Sequence, residues 1–196
     1  MNPKKKSDFF VQHLFSWYKQ EKRDLPWRHT HDPYCIWVSE IMLQQTQVSR
    51  VISYYTRFLE RFPTIQNLAS ASWEELLPYW NGLGFYRRGK NMLRAAQMIV
   101  SEYDGIFPSE ESGLKKLPGI GEYTAGAIMS FAFQKPIPAV DTNFIRVFQR
   151  YFSCTEKDIS SRAREIFLQA PQKKAVLLNH AIMDLGSSFC TSRKIN

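Results

Sequence analysis

Leu117-Pro118-Gly119-Ile120-Gly121, followed by Asp141, is the stretch whose reading decides the fold of this chain. Pro118 opens a tight turn bracketed by Gly119 and Gly121, and a helical pattern from Tyr123 to Phe133 begins directly behind it. Glycine at a helix entrance lets the backbone approach a ligand closely. The unpaired N–H groups and positive dipole end of that helix favour an anion. The chain carries 26 Lys and Arg against 18 Asp and Glu, a net charge of +8, so a nucleic-acid phosphate is the natural anion. In Ala139-Val140-Asp141-Thr142-Asn143, Asp141 interrupts an apolar approach and opens the next helix. It reads either as a plain N-cap or as a catalytic carboxylate held at a helix entrance.

Outward from this stretch the chain reads as all-α. Phe10, Leu14, Trp17 and Tyr18 have helical spacing, with Ser7 as the expected cap. Leu25 to Pro33 reads as a loop. The pattern predicts helices over 35–45 and 49–62, the second ending before Pro63. Ser72-Trp73-Glu74-Glu75 spells a capping box for a short helix. Asn81-Gly82-Leu83-Gly84 reads as a turn, and a helix over 86–103 is stopped by Asp104-Gly105. Further helices are predicted near 122–134, 142–152, 160–170 and 174–188. No alternating pattern of strand length occurs. The 196 residues allow one domain or two small lobes.

Three widely spaced cysteines, Cys35, Cys154 and Cys190, with no apolar leader, argue for a reducing compartment and against a disulfide scaffold. The expected location is intracellular, cytoplasmic if the source is bacterial. No apolar run has the length of a membrane span.

Ile36-Trp37-Val38-Ser39-Glu40-Ile41-Met42-Leu43 places one carboxyl in a nearly continuous apolar helix. Shelter disfavours its charged form and raises its pKa, which suits a general acid near neutral pH. Gln44-Gln45-Thr46-Gln47 follows on the end of the same helix and offers amide donors and acceptors suited to base edges or a wedge into a duplex.

Leu25-Pro26-Trp27-Arg28, the block from Val38 to Gln47, Gly82-Leu83-Gly84-Phe85-Tyr86, Met183-Asp184-Leu185-Gly186 and the hairpin together resemble the MutY-type adenine DNA glycosylases. These belong to the endonuclease III-like, helix-hairpin-helix DNA glycosylases. The likeness runs from about Phe9 to Arg193. It implies an all-α helix-hairpin-helix glycosylase fold of two helical lobes with the active site in the cleft between them. Residues 27–136 would form a six-helix barrel lobe with the hairpin near 114–133, and residues 1–26 plus 137–196 the second lobe. The implied activity is base-excision repair, hydrolysing the N-glycosidic bond of adenine opposite 8-oxoguanine or guanine. The implied partner is double-stranded DNA, with no membrane, and the protein is expected to be a monomer. Glu40 would protonate the flipped adenine, Asp141 would stabilise the sugar cation, and Asn143 would position Asp141 or the water. Tyr123 matches an active-site tyrosine of part of the family. Trp27, Arg28 and His180 would line the adenine pocket. Gln44, Gln45 and Phe85 would wedge into the duplex, and Leu117, Gly119 and Gly121 would hold phosphate.

The chain departs from the pattern at four places. Phe85 stands where these enzymes usually have tyrosine, His180 replaces a Gln or Glu, and Thr142 replaces a Gly, as in the endonuclease III branch. The family also carries four cysteines spaced C-x6-C-x2-C-x5-C around a [4Fe–4S] cluster. Cys190 matches the first, and Thr191 to Asn196 follow without another. Of the basic cluster loop, Arg193 and Lys194 remain. The expectation is a fragment or truncated gene product, which the pattern favours, or else a form of a lineage without the cluster; the chain as given is expected to hold no cofactor, the cluster belonging to an intact family member. The alternative enzyme is an endonuclease III-like pyrimidine glycosylase/lyase, which uses a Lys as a Schiff-base nucleophile. Its position here is Tyr123, which cannot form that adduct. A catalytically weak DNA-binding remnant is the third reading.

Overall fold

The computed structural model describes residues 2–170 and 172–191, and these are helical or irregular, with no strand. The chain divides into two compact units, Met1–Asp24 with Gln134–Asn196, and Leu25–Phe133. No helix among the described residues is long and apolar enough to cross a membrane. Arg193 and Lys194 lie outside the described residues.

In the first unit, α1 (Pro3–Glu21) packs on α11 (Gln172–Asp184), and α9 (Thr142–Phe152) packs on α10 (Glu156–Gln169) and α11. A single wide π-helical turn, Leu185–Phe189, continues α11 and lies against α9. Helix α1 begins five residues earlier than a cap at Ser7 would place it, because Pro3 fits the first helical position and the Asn2 side chain caps Lys4 N. Ser7 is therefore not a cap. It is buried, and its hydroxyl donates to Pro3 O and accepts from Arg162. The apolar faces converge on Phe10, Leu14, Phe144, Phe148 and Phe167. Phe148 is fully buried, stacked on Phe144 at 4.4 Å and edge-on to Phe10. Phe148→Ala is expected to cost about 3–5 kcal/mol, the transfer term plus the cavity left behind. A urea midpoint close to that of the parent would show that the site collapses without penalty.

In the second unit, α2 (Pro33–Leu43) packs against α3 (Val48–Arg61) and α8 (Glu122–Phe131). Asp32 caps α2 through Tyr34 N, and Pro33 occupies its first turn. A 3-10 turn, Pro26–Arg28, forms inside the stretch expected as loop. Two short helices carried too little periodicity to be read from sequence: α4 (Ile65–Ala69), capped by Thr64, and α7 (Glu111–Leu114). Both halves of the Ser72–Glu75 capping box are present on α5 (Trp73–Trp80). Helix α6 (Tyr86–Glu102) packs on α4 and α5.

The hairpin is α7, the turn 115–121 and α8. Gly119 has φ +83, and a Cβ there would stand 3.1 Å from Asn91 Cβ, so the turn needs glycine. Gly121 has an extended backbone and starts α8 with no side-chain cap. A Cβ at Gly121 would meet nothing within 4 Å.

Candidate active site

Helix α2 is buried almost all round, and this sets the environment of Glu40. Its neighbours Trp37, Val38, Ser39 and Met42 are fully buried, and Glu40 itself is 4% exposed. A carboxyl so placed must be hydrogen-bonded. Tyr123, from the first turn of α8, donates its hydroxyl to Glu40 Oε2 at 2.7 Å. The contact joins residues 83 apart in sequence because α2 and α8 pack side by side. The next residue on α8, buried Thr124, takes Gln44 Nε2 at 3.4 Å. The sheltered acid, the tyrosine and the first glutamine thus share one side of the α2–α8 packing.

The glutamines do not continue the helix. Gln44 is the C-cap of α2, and Gln45 has φ +56. Gln45 is exposed, Phe85 is 57% exposed, and both line a cavity of about 400 Å³ with Ile41, Arg88, Pro118 and Gly119. Leu117 is buried beneath the hairpin, and its carbonyl accepts from Ile120 N. Its contribution to any ligand is the turn it anchors. Trp27 is buried edge-on to Tyr55 at 5.5 Å, and Arg28 beside it is half-buried.

Asp141, Asn143 and His180 belong to the first unit. Asp141 is the N-cap of α9: Oδ1 accepts from Phe144 N at 2.7 Å, and Oδ2 accepts from Asn143 Nδ2 at 2.9 Å. Asp141 is half-buried, and both of its carboxylate oxygens accept hydrogen bonds. Asn143 Oδ1 accepts from Arg146 Nη2 at 2.6 Å, and Arg146 Nε donates to Cys190 O at 2.7 Å. His180 is half-buried on α11.

Three residues escaped the sequence reading. Asn179, fully buried, accepts from Ala139 N and donates to Ile137 O, both at 2.9 Å, fixing the irregular segment that leads to Asp141. Its only sequence signal is a polar residue inside an apolar helical pattern. Arg146 had none beyond its place one turn after Asp141. Arg88 bridges the end of α2 and the loop before α6, and burial lowers its pKa. Its signal was a cation in the first turn of a helix, where the dipole opposes it.

The Cys190 thiol is buried and takes Arg150 Nη1 at 3.2 Å. The chain's other cysteines are Cys35, in the other unit, and half-buried Cys154. Among the described residues no cluster of three His, Cys, Asp or Glu could hold a metal. One thiolate in place of four does not fit a [4Fe–4S] cluster.

Beside the site, burial and then the Asp32 charge push the Cys35 thiol up to about 11 from an ordinary 9.0. Tyr34 and Tyr55 rise too, mainly through burial. These groups keep their protons longer folded than unfolded. The stability these groups contribute is therefore fully present below about pH 9 and is lost as pH rises through about 11. Cys35→Ala should flatten that fall in urea melts followed by circular dichroism. Parallel profiles for parent and variant would contradict this origin.

Residues 38–172 match the family model described as HhH-GPD superfamily base excision DNA repair protein. The chain is 43% identical to the adenine DNA glycosylase of Rattus norvegicus, aligning over 94% of this chain and 39% of that protein. It is 42% identical to that of Mycolicibacterium smegmatis, over 92% of this chain and 63% of the relative. The chain thus spans about two fifths of the length of the rat relative. A solved thermostable thymine-DNA glycosylase superposes with TM-score 0.89 at 28% identity, covering 98% of this chain and 91% of that one. Endonuclease III in a trapped covalent DNA complex has the same fold, with TM-score 0.84 at 21% identity over 99% and 90% of the two chains.

Proposed function

We propose a substrate for this chain from one premise: it belongs to the HhH-GPD superfamily of base excision DNA repair proteins. The substrate is duplex DNA carrying adenine opposite 8-oxoguanine or guanine, and the reaction is hydrolysis of the adenine N-glycosidic bond. The observation that carries this reading is the Tyr123 hydroxyl on Glu40, at the position where a glycosylase/lyase of the endonuclease III branch places its lysine. The names of the relatives at about 40% identity support it.

In this reaction Glu40 is the general acid. Adenine leaves poorly until a ring nitrogen is protonated, and a sheltered carboxyl oriented by Tyr123 can deliver that proton. Bond breaking leaves an oxocarbenium-like sugar. Asp141 supplies the opposing charge, and Asn143 keeps its carboxylate oriented. Trp27, Arg28 and His180 recognise the flipped base. Gln44, Gln45 and Phe85 occupy the space it vacates in the stack. The hairpin at Gly119 and Gly121 receives a phosphate on the uncapped start of α8, where the open space at Gly121 leaves room for it.

A second reading, excision of thymine, is favoured by the likeness to the solved thymine-DNA glycosylase. The test incubates the protein with duplexes bearing adenine opposite 8-oxoguanine, adenine opposite guanine, thymine opposite guanine, or thymine glycol. Abasic sites are counted after alkali, and a parallel set is quenched with borohydride. Adenine release with an unbroken strand and no trapped adduct is expected. Release of thymine alone supports the second reading. Nicking at thymine glycol with an efficient borohydride adduct moves the chain to the lyase branch and rejects the proposal.

A further inference from the structure

We infer that Arg88 is a positioning residue whose guanidinium locks together the two backbone turns that present Gln45 and Phe85. The inference deepens the proposed function, since it concerns how the vacated space in the duplex is filled.

The two turns are strained and far apart in sequence. One runs from the end of α2 through Gln44 and Gln45, with Gln45 at φ +56. The other is Gly82–Phe85, with φ +101 at Gly82, +71 at Gly84 and +47 at Phe85. A left-handed Phe whose ring is mostly exposed persists only where the surroundings over-determine it. Arg88 supplies that determination. Its Nη1 donates to Ile41 O at 2.9 Å, Met42 O at 3.1 Å and Gln44 O, the carbonyls that the end of α2 leaves without helical partners. Its Nη2 donates to Thr46 Oγ1 at 3.1 Å, Leu83 O at 3.0 Å and Gly84 O at 3.5 Å. The guanidinium carbon lies 5.2 Å from the centroid of the Phe85 ring. One planar group therefore holds both turns and the base of the aromatic side chain.

The placement of Arg88 does not serve its own helix. A cation in the first turn of α6 opposes the helix dipole. The buried Nε–H has no acceptor among the described residues. Both costs are explained if the fork is aimed by the carbonyls of the two turns. Lysine offers three donors from one point on a flexible stem and cannot span both turns in a fixed geometry. Removing the fork releases the two turns without touching Glu40 or Tyr123, whose contact lies on the α2–α8 side.

The test compares the parent with Arg88→Met and Arg88→Lys. Folding is followed by circular dichroism. Insertion into the duplex is read from 2-aminopurine placed next to the adenine mispair, whose fluorescence rises when its neighbour is unstacked. Single-turnover excision is measured on adenine opposite guanine and on adenine opposite an abasic gap, where extrusion needs no wedge. Both folded variants should lose the fluorescence rise and roughly 100-fold of excision opposite guanine, a loss typical of a displaced positioning element. Opposite the gap the loss should stay below about threefold. Lysine should restore thermal stability but not the fluorescence. Equal losses on both duplexes, or an intact fluorescence rise, would overturn the inference. If Arg88→Met does not fold, Arg88→Lys alone decides it. If the parent releases no adenine yet still raises the fluorescence, the proposed function fails, and the fluorescence of the variants still decides the role of Arg88.

Discussion

Glu40→Gln is expected to lower single-turnover excision by at least about a thousandfold while leaving duplex binding within a few-fold of the parent. Gln preserves the shape, and its amide oxygen can still accept from the Tyr123 hydroxyl that now reaches Glu40 Oε2 at 2.7 Å. The variant should therefore fold and bind. What it lacks is a proton to give, and general acid catalysis contributes about 10²–10⁴-fold, more when the leaving group cannot depart unprotonated. Excision at a rate near that of the parent would remove Glu40 from the acid role and send the search to another donor.

Asp141→Asn carries the second large effect, for a different reason. Asn is as good an N-cap as Asp, so α9 should keep its bond to Phe144 N, while the bond from Asn143 Nδ2 is lost because an amide nitrogen in place of Oδ2 cannot accept it. The charge disappears too. An opposite charge about 4 Å from the developing sugar cation is worth about 4 kcal/mol at an effective dielectric of 20. That corresponds to roughly a thousandfold in rate. Asp141→Ala separates the two roles, since it should add the loss of the cap, about 1 kcal/mol in a urea melt. Should Asp141→Asn keep more than about a third of the parent rate, Asp141 is a cap alone.

The all-α class was legible because long helices announce themselves through spacing and ends. The 86–103 pattern became α6, and the capping box at Ser72 stands where four residues spelled it. The short helices α4 and α7 were not legible, since one turn or so of chain gives no periodicity to read. The start of α1 was misplaced because Ser7 has cap chemistry but sits inside the helix, while Asn2 and Pro3 close its true end. Gln44 and Gln45 read as helical because nothing local forbids it. Their turn is held by Arg88, some 44 residues away, which no local pattern encodes.

By itself the sequence determined which groups could do chemistry. An acidic residue in an apolar helix, a glycine turn before a helix and a carboxylate at a helix entrance are composition and spacing, and both are local. Tertiary packing alone decided which groups meet: Tyr123 with Glu40, Asn179 with the segment before Asp141, and Arg88 with two distant turns. The physical reason is that a buried polar group must find its partner wherever the packing of helices delivers one. That delivery depends on which faces of α2, α8, α9 and α11 are buried together, and not on distance along the chain.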